Sequence, residues 1–311
     1  MRVEEEHAKS LLNRNRSPDV PFDWGVNAYR GCAHACAYCY ARPTHEHLGY
    51  GAGTDFDSRL VVKVNAPELL RAELARRSWR QETVCVSGNT DPYQPLEASY
   101  RLTRRLLEEF ARARTPVVLI TKGALVRRDI DVLQRLRDSA GVTVHISLAF
   151  LDEGWARAMD PGAPSPKARL ETVRQLADAG LDVGLSLSPV IPGLNDDALP
   201  ELLERATQAG ATRAFATLLR LPGTVQQVFF ERLSQSSPER ARKVERALRE
   251  ARQGELTDAR IWQRMRGQGA RWAMVEQLLE LHARRLGLEL GERSQPELPP
   301  PAVPRQNELF P

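Results

Sequence analysis

Between residues 80 and 220 the chain alternates short apolar runs with longer stretches in which apolar residues recur every three or four positions. The short runs are Thr83–Ser87, Val117–Thr121, Val142–Leu148, Leu181–Ser188 and Arg213–Leu218. Most are apolar along their whole length, which predicts parallel strands covered on both faces. The longer stretches predict helices with recognisable ends. Asn65-Ala66-Pro67-Glu68 reads as a capping box with an early proline. Ser165-Pro166 opens a second helix, in which Leu170, Val173, Leu176 and Ala177 share a face and Gly180 closes it. Asp196–Ala209 repeats the pattern, with Gly210 as its stop.

Short loops between such elements imply parallel strands and right-handed crossovers. A first strand at Trp24–Asn27 brings the total to six strand–helix units, too few for a closed eight-stranded barrel. The expected fold is therefore α/β, an open partial (β/α)6 barrel over residues 23–222. Its reactive groups should sit at the carboxyl ends of the strands. Residues 1–22 form an N-terminal extension. Val225–Leu290 reads as helices rich in arginine and glutamate with no further strand, so residues 223–290 are expected to form a basic helical extension. The proline-rich residues 291–311 cannot build a core and are expected to be a disordered tail.

Composition adds little to this picture. Apolar residues make up 42% of the 311, ordinary for a globular protein. No apolar run reaches the roughly 18 residues of a membrane span. Met1–Arg16 lacks the apolar segment of a secretory signal, which predicts a cytoplasmic protein without a membrane partner. Net charge is +4, carried mainly by arginine. Guanidinium groups bind phosphate but also coat helices, so basicity alone assigns no nucleic-acid partner.

Cysteine placement is more informative. Cys85 stands alone between Val84 and Val86, the setting of a small buried hydrophobe rather than of a hydrogen-atom donor. Cys32, Cys36 and Cys39 fall within eight residues, directly after the first predicted strand. Clustered thiols point to a metal site in a reducing compartment. Zinc would need a fourth ligand, for which His34, His45 and His47 are at hand. A cubane iron–sulfur cluster would take three thiolates on three irons and leave the fourth iron open. The position at a strand end of an α/β array favours the cubane.

The segment Gly31–Tyr40, a CxxxCxxC motif with an aromatic before its last cysteine, resembles the radical S-adenosylmethionine (SAM) superfamily. The resemblance covers about residues 23–222 and implies a radical SAM (β/α)6 barrel. It implies a 4Fe–4S cluster on Cys32, Cys36 and Cys39, with SAM chelating the open iron. Reduction, from a donor such as flavodoxin or ferredoxin, would cleave SAM to a 5′-deoxyadenosyl radical that abstracts hydrogen. On that layout Asp91 or the Gly88 carbonyl meets the SAM ammonium, and Lys122 meets its carboxylate. Ser147, Ser186 and Ser188 are offered to the ribose, Pro189–Pro192 walls the adenine, and Tyr38 packs near it.

Within the superfamily, NAYRGCAHACAYCYARPTHEHLG and SGNTDPYQPLE resemble proteins related to spore photoproduct lyase. Ser87–Asp91 lacks the cysteine that the lyase carries ahead of its Thr-Ser-Asp to return hydrogen. The thymine-dimer reaction is therefore not expected, while DNA stays a candidate substrate. Arg260, Arg264, Arg266 and Arg271, interleaved with Trp262 and Trp272, suit DNA contact or, alternatively, a helix capping the barrel with its Trp side. Gln306–Phe310 resembles the Q-x-x-L-F peptide by which bacterial repair and replication proteins hold the sliding clamp. A protein or small-metabolite substrate, or a non-catalytic iron–sulfur or zinc protein, remains the alternative.

Overall fold

The computed structural model describes residues 1–291; the clamp-like peptide Gln306–Phe310 lies outside the described residues. Strands β1 (Arg2–Glu6) and β2 (Asn13–Arg14) precede the first barrel strand, β3 (Trp24–Val26). β4 (Tyr29–Arg30), α1 (Thr54–Ser58), β5 (Arg59–Lys63) and α2 (Ala66–Leu74) then lead to β6 (Val84–Val86). The remaining barrel strands are β7 (Val117–Thr121), β8 (Val142–Ser147), β9 (Asp182–Val190) and β10 (Arg213–Leu218). Between them run α3 (Glu97–Tyr100), α4 (Leu102–Arg112), α5 (Ile130–Ser139), α6 (Glu153–Met159), α7 (Pro166–Asp178) and α8 (Leu199–Gln208). After β10 come α9 (Val225–Ser236), α10 (Pro238–Ala251), α11 (Gly269–Leu286) and β11 (Glu289–Leu290).

The six predicted barrel strands pair in parallel in sequence order, β3-β6-β7-β8-β9-β10. β2 and β11 extend the two ends of the sheet, so β3 and β10 are not joined and the barrel stays open. Register aligns Val84, Val117 and Val142 at one end and Ser147 with Ser186 at the other. Leu106, Phe110, Leu133, Leu136, Val173, Leu176, Leu202 and Leu203 are buried on the helices around this sheet. Burying each contributes roughly 1.5–3 kcal/mol.

Helix ends follow the sequence in part. Ser165 caps α7 by accepting from Ala168 N, and Gly180 beyond it adopts φ +75°. Asn65 does stand before α2, but its side chain caps nothing there. It bonds instead to Ala8, accepting from its N at 2.9 Å and donating to its O at 3.0 Å. That corrects the capping box, because a polar side chain at a helix start is equally able to tie down a neighbouring segment.

One more expectation needs correction. β11 pairs in parallel with β10, so the C-terminal region does contain a strand. Two residues are too short to carry a period, and only the pairing partner defines them. The N-terminal extension also supplies β1, which pairs with β5 in a second sheet of order β1-β5-β4. Among the described residues no helix is long and apolar enough to cross a membrane.

Trp272 of α11 is 3% exposed in the core and donates to Glu276 Oε1 of its own helix at 2.7 Å, and α11 packs against α8. Its burial withdraws this tryptophan from a surface contact. Three of the four arginines expected to face DNA are engaged within the chain: Arg260 by Asp258, Arg264 by Asp19 and Arg271 by Asp196.

Candidate active site

The three clustered cysteines lie in a loop braced from four directions. Gly31 turns the chain at φ +71°, where a Cβ would lie 2.8 Å from the Phe56 carbonyl oxygen. Its own carbonyl accepts from Thr90 Oγ1 at 2.7 Å and from Gln94 Nε2 at 3.1 Å. The same Gln94, wholly buried, accepts from Ala33 N at 3.1 Å. From below, the buried Arg42 donates Nε and Nη2 to the Cys36 carbonyl at 3.0 and 2.8 Å. It also reaches Ala52 O, Gly53 O and Asp57.

Asp57 is shared with Arg232 of α9, at 2.6 Å, and Arg232 also donates to Ala35 O. The C-terminal helices are thereby tied to the cysteine loop. The fourth brace follows α6: Ala37 N donates to Met159 O at 2.8 Å and Gly162 N to His34 O at 3.0 Å. Gly162 has to be glycine, since a Cβ would lie 2.0 Å from Ala33 O.

All three thiols are free, with Cys32 and Cys36 buried and Cys39 half-buried. Burial, then Asp160, pushes Cys36 well above the usual thiol range. Burial, then Cys32, pushes Cys39 up to about 11. A metal bound here therefore displaces protons, as thiolate ligation requires. His45 is spent structurally, with Nε2 2.7 Å from Arg59 O and its ring edge-on to Phe56. Thiolates on a zinc ion share one centre, whereas thiolates on a cubane each take a separate iron. The donor set fits the cubane.

The segment after β6 is built inward. Asp91 Oδ1 accepts from Tyr93 N at 2.9 Å and from Thr121 Oγ1. Its Oδ2 accepts from Lys122 N at 2.7 Å and lies 3.3 Å from His34 Nδ1. Burial alone would raise the Asp91 carboxyl, but His34 and these donors hold it below the usual carboxylate range. Burial would likewise lower His34, yet Asp91 and Cys32 take it up to about 10. Asp91 thus locks the cysteine loop to the end of β7. The Gly88 carbonyl accepts from Tyr40 Oη at 2.6 Å.

The other candidates gather at the barrel mouth. Lys122 Nζ stands 5.4 Å from the Tyr38 ring centroid, and Tyr38 lies 6.4 Å from Phe150. Ser147 and Ser186 are buried on adjacent strands. Beneath them is a buried ion pair absent from the sequence reading: Arg169 donates Nη1 and Nη2 to Asp160 Oδ2, each at 3.1 Å, and Nη1 to Ser147 O at 3.2 Å. A signal for it existed, since Arg169 falls on the apolar face of α7, four residues before Val173 and seven before Leu176.

Ser188 Oγ is buried without a hydrogen-bond partner, whereas Asp160, Tyr38 and Cys36 face one another. An unpartnered buried atom costs on the order of 1–3 kcal/mol unless something polar meets it. That unpartnered hydroxyl, near the carboxyl end of β9, fits a polar cofactor.

An open parallel barrel with three cysteines after its first strand defines a class, barrels that carry an iron–sulfur cluster at the mouth. Residues 26–206 match the radical SAM superfamily, and the chain belongs to it. It is 42% identical over 234 residues to an uncharacterised protein of Mycobacterium tuberculosis strain H37Rv, covering 74% of this chain and 69% of the relative. It is 27% identical over 214 residues to the radical SAM Nalpha-GlyT isomerase of Pseudomonas phage M6, covering 68% of this chain and 42% of that protein. Spore photoproduct lyase in complex with dinucleoside spore photoproduct has the same fold, with a TM-score of 0.64 at 14% identity over 93% of this chain and 81% of the lyase.

Proposed function

We propose that this radical SAM enzyme acts on DNA, abstracting hydrogen from a nucleotide presented at the open mouth of the barrel. The observation that carries the proposal is Tyr40. Its ring directly follows Cys39, is 49% exposed, and is held in place through Gly88 O and the Arg220 guanidinium. An exposed, fixed aromatic beside cationic groups suits a base and its phosphate. The lyase of the same fold holding a dinucleoside supports this substrate class.

When bound, the cluster and SAM supply the 5′-deoxyadenosyl radical. Cys32, Cys36 and Cys39 would hold the cluster. Lys122 would meet the SAM carboxylate, the Gly88 carbonyl its ammonium, and Ser147, Ser186, Ser188 and Tyr38 its nucleoside. Asp91, its lone pairs already engaged, would act by positioning. The free thiols suit a reducing cytoplasm, where a flavodoxin or ferredoxin would deliver the electron.

The test is anaerobic incubation of reconstituted, reduced protein with SAM and oligodeoxynucleotides deuterated in the sugar and base. Formation of 5′-deoxyadenosine carrying deuterium is expected. The nucleoside formed with no deuterium from any oligonucleotide would return the substrate to a protein or metabolite. No 5′-deoxyadenosine at all would overturn the enzymatic reading.

The clamp peptide is proposed separately. Gln306, Leu309 and Phe310 stand at the Q-x-x-L-F spacing. A peptide spanning residues 300–311 is expected to bind purified bacterial sliding clamp with micromolar-range affinity. Binding should be lost on changing Leu309 and Phe310 to alanine. Absence of binding by both peptide and full-length protein would remove the clamp as a partner.

A further inference from the structure

Arg220 lies two residues after β10, the last barrel strand, and Tyr40 follows the cysteine loop after the first. Their contact, guanidinium to ring centroid 5.6 Å, therefore spans the opening of the barrel. Among the described residues Arg220 has no hydrogen-bond or ion-pair partner for its side chain, although it is half-buried.

Arg252, at the end of α10, is 6% exposed. Its Nη2 donates to Leu219 O at 2.7 Å and Arg264 O at 3.3 Å, while its Nε and Nη1 are buried without a partner. Arg252 and Arg220 feel one another's charge, as do Arg220 and Arg264. The acids within reach are already committed, Asp19 to Arg264 and Asp258 to Arg260. Burial lowers the pKa of both Arg220 and Arg252. At Arg220 the Arg264 charge adds to it while Tyr40 and Asp19 oppose it, and at Arg252 Asp258 opposes it while the Arg220 charge adds to it.

Two partly desolvated guanidiniums with free donors and no free carboxylate are costly to assemble in an empty protein. An anion with several oxygens removes that cost, and the guanidinium fork matches it. We infer that Arg220 and Arg252 form a phosphate-binding pair that seats a phosphodiester of the substrate strand beside Tyr40. This rests on the nucleic-acid reading above and gives it a specific anchor. A base to be attacked has to leave its stack, and gripping the flanking phosphate is one way to hold it out.

The probe is a fluorescent single-stranded oligodeoxynucleotide, titrated against the full-length, cluster-loaded protein at several salt concentrations. Each phosphate neutralised contributes about 0.7 to the log–log salt slope for a single strand. Arg220→Gln is expected to weaken binding about tenfold at low salt and to reduce that slope by about 0.7. Arg220→Lys should keep the slope. A methylphosphonate oligonucleotide of the same sequence should not distinguish the wild type from Arg220→Gln, because its backbone carries no charge.

Arg220 is the informative position, since Arg252 also holds two backbone carbonyls and its loss would disturb the fold. If the wild type binds and Arg220→Gln binds with the same affinity and slope, the pair is overturned while DNA binding stands. If the wild type binds no oligonucleotide at low salt, the nucleic-acid reading falls and the pair with it.

Discussion

Cys36→Ala is expected to abolish cluster assembly and all formation of 5′-deoxyadenosine while leaving a folded barrel. The separation of these two effects follows from what Cys36 does. Its side chain is one of three candidate iron ligands. Its carbonyl, which alanine retains, is the acceptor for Nε and Nη2 of the buried Arg42. The loop keeps its Arg42, Gln94 and Gly162 braces, and only the donor is lost. Reconstituted wild type should hold about four irons and four sulfides per chain, and the variant essentially none. The melting temperature of the metal-free proteins should differ little. Wild type that takes up stoichiometric zinc, with no iron–sulfur absorbance after anaerobic reconstitution, would refute the assignment.

The barrel was legible because its strands are buried on both faces and so appear as unbroken apolar runs. Val117–Thr121 and Arg213–Leu218 match the observed bounds, and the others shift by a few residues. β5 has only three consecutive apolar residues, Leu60, Val61 and Val62, between Arg59 and Lys63, too few to set a period. β1 offers one apolar residue, Val3, among charges, and no periodicity reveals it.

At the site, the cysteine cluster was legible because its chemistry is local in sequence. The roles of Thr90, Asp91 and Gln94 were not. Polar residues at a strand end look alike whether they face a ligand or brace a loop, and here Thr90 and Gln94 turn to Gly31. Arg42 and Arg169 were hidden for the opposite reason. A buried arginine looks like any surface arginine until its acceptors, distant in sequence, are brought to it.

Arg169→Met should destabilise the fold by about 3–5 kcal/mol, the cost of stranding a buried charge. Arg169 and Asp160 are 1% and 0% exposed at their side chains, so solvent cannot take over for either. Burial would raise the Asp160 carboxyl, but Lys122 and Arg169 override it and hold it below the usual carboxylate range. Lys122 remains in the variant, which places the expected loss toward the lower end.

The sign of the pH dependence follows from that depression. A carboxyl with a lowered folded pKa stabilises the protein above its unfolded value near 3.9, and that stability is lost as pH falls through the folded value. Removing Arg169 weakens the depression, so urea unfolding should show a large difference at pH ~7 and a smaller one near pH ~3. Asp160→Asn strands Arg169 in turn, while the double variant Asp160→Asn/Arg169→Met should recover part of the loss. A loss below about 1 kcal/mol in Arg169→Met at neutral pH would mean that Lys122 alone neutralises Asp160. The ion pair would then be dispensable to the fold.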